Sequence, residues 1–451
     1  MQQNSVRARI RSALADDGLS LRLLSVIAAV LIVLVALGAR AQDIRDYDAY
    51  VFSVLTHGVV YCAAVGLVLS AKRHPKAVLL ILVVAALLRG IAFQVPVGLT
   101  TDGYRYVWDG RLQSAGINPY LMIPNDERLK PLRDATIYPN INGADRYPTI
   151  YPPVAQIAFW IGTKLNDSID GMKLLMALAE AVTIWALLAW LRAEQLPPER
   201  VLIYAWHPLP LWEYTGSGHI DAVAVAFVCL GLLAASRDQH GRMGAAFAAA
   251  ALVKYFPVYL LPAIWKRWWL GAPVSFALVA IALYTPYVWG AGSKVLGSLF
   301  MHLDAEGYND EGWGFFLAFA PKHFGWFDIG GRLCAKLAAM ALVLIALPIV
   351  FRRDPERLRP WHLIVLVSAF LLLVSPHYPW YYALAVPLLV RCMYLPLLWV
   401  TLAVTAIYLE IGDVWLVPYP RFKVLTVIYG GFLVLALADA VWRWRRQPSA
   451  A

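Results

Sequence analysis

Apolar residues come along this chain in blocks rather than singly. Residues 21–37, 50–70, 77–93 and 422–441 are each long enough, at 1.5 Å per residue, to cross or nearly cross about 30 Å of hydrocarbon. The pattern predicts an all-α, polytopic transmembrane protein with about 12 to 14 membrane segments. These form one integral membrane domain over residues 1–451. Shorter apolar segments at 201–212, 244–253, 255–264 and 379–389 are interrupted by Pro, Gly or a charge. Broken helices of that kind are expected where the backbone lines a protein-enclosed cavity.

Composition strengthens this reading. Hydrophobic residues make up 60% of the chain and charged ones 15%, against roughly a quarter charged in an ordinary globular domain. A soluble enzyme has nowhere to put that much apolar surface. The formal charge of +10 does not point to nucleic acid, because the basic residues form short clusters between apolar blocks rather than one stripe. Such loops face anionic lipid. Cys62, Cys229, Cys334 and Cys392 lie in or beside apolar segments without CxxC or metal spacing, so neither disulfides nor a cysteine-bound metal is expected.

Arginines at 7, 9, 11 and 22, and again at 443, 445 and 446, place both termini in the cytoplasm and demand an even number of crossings. Basic loops at 72–76, 192–200, 237–242, 266–267, 352–359 and 391 should lie on the same side. Residues 154–162 resist this walk: they are short for a span, and counting them as one breaks the parity. They are re-entrant, or another crossing is misplaced. Two long polar stretches, 94–151 and 290–331, fall outside and form the expected functional surface. Both are rich in aromatic residues, unlike a disordered linker.

The densest chemistry is DGYRYVWDGR, residues 102–111. As a helix it places Asp102, Arg105, Tyr106 and Asp109 on one face. A carboxylate held beside an arginine stays ionised and can take a proton from a sugar hydroxyl. The plain alternative is an interfacial helix whose charges, Arg111 included, only pair with one another. Glu213, His219 and Asp221 cluster where one short apolar segment turns into the next. Ionisable groups at membrane depth usually face inward and pair, and Asp221 could simply stabilise the first turn of a helix. Lys254 interrupts the apex of an apolar hairpin, where it either snorkels or holds a phosphate. His377 and Tyr378 stand between Pro376 and Pro379 at another break, as donors or as ordinary hinge and interface residues. Asp46, Tyr47 and Asp48 form a DxD-like triplet without an accompanying nucleotide-binding fold. Walker, dinucleotide, zinc-protease and nucleophile-elbow patterns are missing. No cluster has metal-ligand spacing, so no metal site and no certain cofactor are expected, although carboxylates beside phosphate could recruit a divalent metal.

DGYRYVWDGR with GINPY, YPNINGADRYPTIYPPVAQ (138–156), GHIDAVAVAF (218–227), ALVKYFPVYLLP (251–262) and SPHYPWYYALAVPLL (375–389) run through most of the chain. Together they resemble the GT-C superfamily of integral membrane glycosyltransferases, and among those the bacterial polyprenyl-phosphomannose-dependent mannosyltransferases. The resemblance implies GT-C-like outer loops, an acidic catalytic base in the first of them, matched here by Asp102 with Asp109 as fallback, and a lipid-linked sugar donor. It also implies that His219 and Asp221 orient substrate or donor phosphate. Residues 302–314, HLDAEGYNDEGWG, match the second loop of that family only loosely. The expected activity is inverting transfer of a hexose, mannose by this resemblance, from polyprenyl phosphate to a glycan or glycolipid at the outer face of the plasma (inner) membrane. Arg105, Arg111, Lys254, His219 and His377 are candidates to stabilise the departing phosphate. Two other classes stay open: a carrier or flippase for a lipid-linked sugar or small anion, and a non-catalytic assembly partner.

Overall fold

A computed structural model describes residues 17–265, 269–296, 314–352, 359–410 and 420–446. Every regular element among them is helical. Six helices are long and apolar enough to cross a membrane: α1 (Asp17–Asp43), α2 (Tyr47–Ser70), α6 (Ile169–Ala193), α9 (Gly271–Ala291), α10 (Gly331–Val350) and α13 (Pro420–Arg446). Shorter apolar helices are α3 (Ala77–Phe93), α7 (Asp221–Ser236), α11 (Pro360–Val374) and α12 (Leu395–Ala403), the last prolonged by a 3-10 turn, Val404–Glu410. Two short helices, α4 (Asp102–Ser114) and α5 (Pro153–Leu165), bracket the long polar stretch, and α8 (His240–Ala251) precedes Lys254.

The surface of α1 shows which solvent the fold expects. Leu24, Ala28, Leu31 and Val35 are buried at helical spacing, yet Val26, Val33 and Leu37 on the opposite side are more than half exposed. Phe52 and Val59 on α2, Ile281 and Trp289 on α9, and Val434 and Leu437 on α13 repeat this. In water such a belt would cost roughly 1.5–3 kcal/mol per large side chain left uncovered; in lipid it costs nothing. The chain is therefore a multi-pass membrane protein.

At the centre the backbone is broken, as the interruptions in the sequence suggested. Residues 198–216 run through a 3-10 turn, two single helical turns and a π-helical stretch, Leu211–Gly216, every turn of it buried. Pro208 and Pro210 cannot continue an α-helical ladder, and His207 accepts the freed Leu209 amide on Nδ1 at 3.1 Å. A second interrupted stretch, Phe256–Ile264, follows Lys254, and a third, Pro379–Arg391, follows α11. The charges at this depth are paired: Arg89 Nη2 meets Glu180 Oε1 at 2.6 Å, and Tyr408 Oη donates to Glu213 at 3.0 Å.

Helix α5 covers the segment that resisted a topology. Thirteen residues give it about 20 Å, too short for the hydrocarbon core, and it lies largely buried against α4 and α6. Gly110 permits this approach: a Cβ there would sit 2.5 Å from the Phe159 carbonyl oxygen. The polar stretch leading to α5 is ordered by its own bonds. Asp134 Oδ1 accepts the amides of Thr136, Ile137 and Tyr138, and Arg111 clamps Asp134 and Asp167 at 2.6 and 2.7 Å. Asn118 and Tyr287 tie the same stretch to α9.

Candidate functional site

The predicted helical face of residues 102–111 is realised in α4 by two i,i+4 bonds. Tyr106 Oη donates to Asp102 Oδ2 at 3.3 Å, and Arg105 Nε donates to Asp109 Oδ1 at 3.0 Å. Asp102, the acceptor of the first pair, lines a cavity of about 650 Å³. Four breaks in the helical framework meet around it: residues 98–102 before α4, 147–152 before α5, 254–256 after α8, and 378–381 after α11.

Asp102, Arg105, Thr100, Thr101, Asn142 and Lys254 give the lining its polar groups. Phe256, Phe370, Val374, Tyr378, Trp380 and Tyr381 give it aromatic and aliphatic surface. Phe256 and Phe370 stack at 5.8 Å, and Tyr259 stacks on the same Phe370 at 4.5 Å. A lining of this composition suits a ligand with both polar and apolar parts.

Lys254 sits at the join. Its ammonium donates to Asp221 Oδ2 at 2.7 Å and lies 4.6 Å from the Tyr381 ring centroid, while still lining the cavity. Asp221 opens α7 and is buried, with Oδ1 lacking a partner among the described residues. A cation held by a carboxylate and an aromatic face is fixed in position and can meet an anionic group in the cavity.

His219 does not reach the cavity wall. It is buried, its Nδ1 lies 2.9 Å from the Glu213 carbonyl oxygen and 3.2 Å from Glu213 Oε2, and its ring stacks on Trp380 at 3.8 Å. Tyr378 stacks on Trp380 at 4.4 Å. Trp380 thus carries both Tyr378 and His219 against its ring while lining the cavity. His377 bonds to Arg421 and packs edge-on against Tyr378.

Two residues of the 102–111 stretch lie elsewhere. Asp109 is fully buried, with Arg105 on one oxygen and Gln156 Nε2 on the other at 3.0 Å. Both oxygens are occupied, and its evident work is to orient Arg105 and α5. Arg111 is absorbed by the Asp134 and Asp167 clamp. Burial raises the Asp134 carboxyl, but the Arg111 hydrogen bond, the Ile137 and Tyr138 amides and the Arg111 charge outweigh it and bring it down to about 2. Asp46 of the DxD-like triplet accepts the Ala49 amide at 3.0 Å as the N-cap of α2. Residues 302–313 of the loosely matching second loop lie outside the described residues. Among the described residues no group of three or more His, Cys, Asp or Glu is placed to hold a metal ion.

The structure adds residues that the sequence did not single out by role. Tyr147 and Tyr151 line the cavity, and Tyr147 presents its carbonyl to Arg105 at 3.4 Å. Both belong to the 138–156 motif, whose density of Tyr and Pro was the available signal. The model of glycosyltransferase family 87 matches residues 149–376, just over half of the chain. The match takes in Tyr151, Lys254, Phe256 and Phe370 of the cavity. No curated protein and no solved structure matches the chain.

Proposed function

The chain belongs to glycosyltransferase family 87, and from that premise we propose that it transfers a hexose, mannose by sequence resemblance, from a polyprenyl-phosphate donor to a glycan or glycolipid acceptor. The proposed architecture is of the GT-C type, in the plasma membrane, with both termini cytoplasmic and the cavity opening on the outer face.

One observation carries this reading: a cavity lined together by a carboxylate that meets no cation among the described residues, a fixed ammonium and apolar aromatic side chains. Asp102 takes the proton of the acceptor hydroxyl as its oxygen attacks the anomeric carbon. The bond from that carbon to the phosphate oxygen breaks, and polyprenyl phosphate leaves with the electron pair. A single displacement inverts the anomeric configuration. Lys254 stabilises the negative charge that gathers on the departing oxygen, an electrostatic role worth most in a site shielded from water. Arg105, oriented by Asp109, provides a second cation. The wall of Phe256, Phe370 and Val374 takes the first isoprene units, so the reacting bond sits where lipid and polar substrate meet.

The test is transfer of radiolabelled sugar from polyprenyl-phosphate donors in membranes expressing wild type or Asp102→Asn at matched folded levels. Transfer by wild type and its loss in the variant is the expected result. Equal transfer by both would remove Asp102 as base. No transfer by the wild type from any polyprenyl-phosphate sugar, with donor appearing instead on the opposite leaflet, would make the chain a carrier.

A further inference from the structure

We propose that Tyr106, backed by Tyr151, is a positioning residue that sets the plane of the Asp102 carboxylate and leaves one of its oxygens free for the acceptor. The proposal rests on the reading of Asp102 as base.

An aspartate on the first turn of a helix has two side-chain torsions and nothing intrinsic to hold them. Asp102 lies within ion-pair distance of no cation among the described residues, unlike Asp109, which pairs with Arg105 one helical turn before it. Its side chain has one hydrogen-bond partner among them, the Tyr106 hydroxyl on Oδ2. Oδ1 is uncommitted. The donor is itself held firmly: the Tyr106 ring is fully buried, stacked on Phe159 at 4.4 Å and 9°, and set edge-on to Tyr151 at 5.2 Å.

Tyr151 completes the arrangement from the cavity side. Its hydroxyl donates to the Tyr106 oxygen at 3.5 Å, which orients the Tyr106 proton toward Asp102. Two O–H dipoles in series therefore end on one carboxylate oxygen. A neutral phenol is a suitable partner for a base. A guanidinium at that place would weaken a carboxylate as a proton acceptor far more. The Tyr106 hydroxyl does not reach the cavity lining, so its effect passes through Asp102 and not through substrate.

The experiment compares kcat and donor KM for wild type, Tyr106→Phe and Tyr151→Phe, with the unfolding midpoint of each. Tyr106→Phe deletes one oxygen and keeps the ring stack. Its kcat should fall about tenfold, the effect of one hydrogen bond made to the reacting group, with donor KM and midpoint close to wild type. Tyr151→Phe should give a smaller fall in kcat, and it reads the same chain if Tyr106→Phe folds poorly. Unchanged kcat in both variants, alongside an inactive Asp102→Asn, overturns the positioning role alone. A rise in KM without a fall in kcat overturns it too, because the hydroxyls would then be binding substrate. Wild-type kcat in Asp102→Asn instead removes the base assignment on which the proposal stands.

Discussion

Replacing Lys254 by Met keeps the aliphatic stem and removes the ammonium. Asp221, buried, then loses the partner of Oδ2 and already lacks one on Oδ1. Breaking a buried pair from one side costs about 3–5 kcal/mol, because the remaining charge is uncompensated, whereas replacing both members by apolar residues is often neutral. Lys254→Met alone should therefore destabilise by about 3–5 kcal/mol, and Lys254→Met with Asp221→Leu should return to within about 2 kcal/mol of wild type. Asp221→Asn should cost less than Lys254→Met, since Lys254 is still 12% exposed and keeps the Tyr381 ring. The measurement is unfolding by SDS in mixed dodecyl maltoside micelles, read with transfer activity on the same preparations. A double variant that is stable and inactive assigns Lys254 to the chemistry. A double variant that is stable and fully active makes the pair structural and refutes the leaving-group role. A cost for Lys254→Met below about 1 kcal/mol refutes the buried-pair reasoning itself, since that is the range of exposed pairs.

Two further outcomes follow from the elements that frame the cavity. Gly110→Ala places a methyl 2.5 Å from both the Phe159 carbonyl oxygen and Thr163 Cγ2; separating α4 from α5 should cost about 1–3 kcal/mol, and an unchanged SDS midpoint would show that the helices do not approach so closely. The Arg111 clamp should be acid-sensitive. Asp134 has a folded value of about 2, below its ordinary 3.8, so its contribution is complete above about pH 4 and is lost as pH falls through about 2. Arg111→Gln should move that loss upward toward pH 4, seen as hydrogen exchange of the 134–138 amides; an identical pH dependence in both proteins would refute the clamp.

The membrane character, the helical class and the position of the main breaks were legible because each rests on local chemistry: long apolar blocks, prolines and single charges. The face shared by Asp102, Arg105, Tyr106 and Asp109 was legible for the same reason, since a four-residue spacing within one helix needs no tertiary information. What each of those residues does was not. Asp102 and Asp109 are alike in sequence, flanked by aromatics and arginine, yet Arg105 pairs with Asp109 and Gln156, 47 residues away, closes its second oxygen, while Asp102 faces the cavity. Arg111 looked like a candidate phosphate ligand until Asp134 and Asp167 took it, both distant in sequence. The Asp221 and Lys254 pair spans 33 residues, and each member had a plausible local explanation of its own. Pairing across breaks is set by packing, and packing leaves no periodic trace.

The breaks themselves explain why the site is where it is. A continuous helix offers a cavity one side chain per turn and keeps its amides and carbonyls to itself. At a break, successive side chains can face the same space, as Gly98 to Asp102, Lys254 to Phe256 and Trp380 with Tyr381 do here. Pro152 and Pro153, Pro257, Pro376 and Pro379 stand in or beside three of the four converging segments. Ser375, in the left-handed region at φ 44°, turns the chain out of α11 just before the fourth wall, a conformation that costs about 1–2 kcal/mol for a residue other than glycine. Such a turn persists only where surrounding contacts hold it, and the Tyr382 hydroxyl on the Pro376 carbonyl at 2.8 Å is one of them. Backbone irregularity at membrane depth is tolerated when it lines a cavity enclosed by protein. The same interruptions that weaken these segments as spans therefore gather the carboxylate, the ammonium and the aromatic side chains into one place.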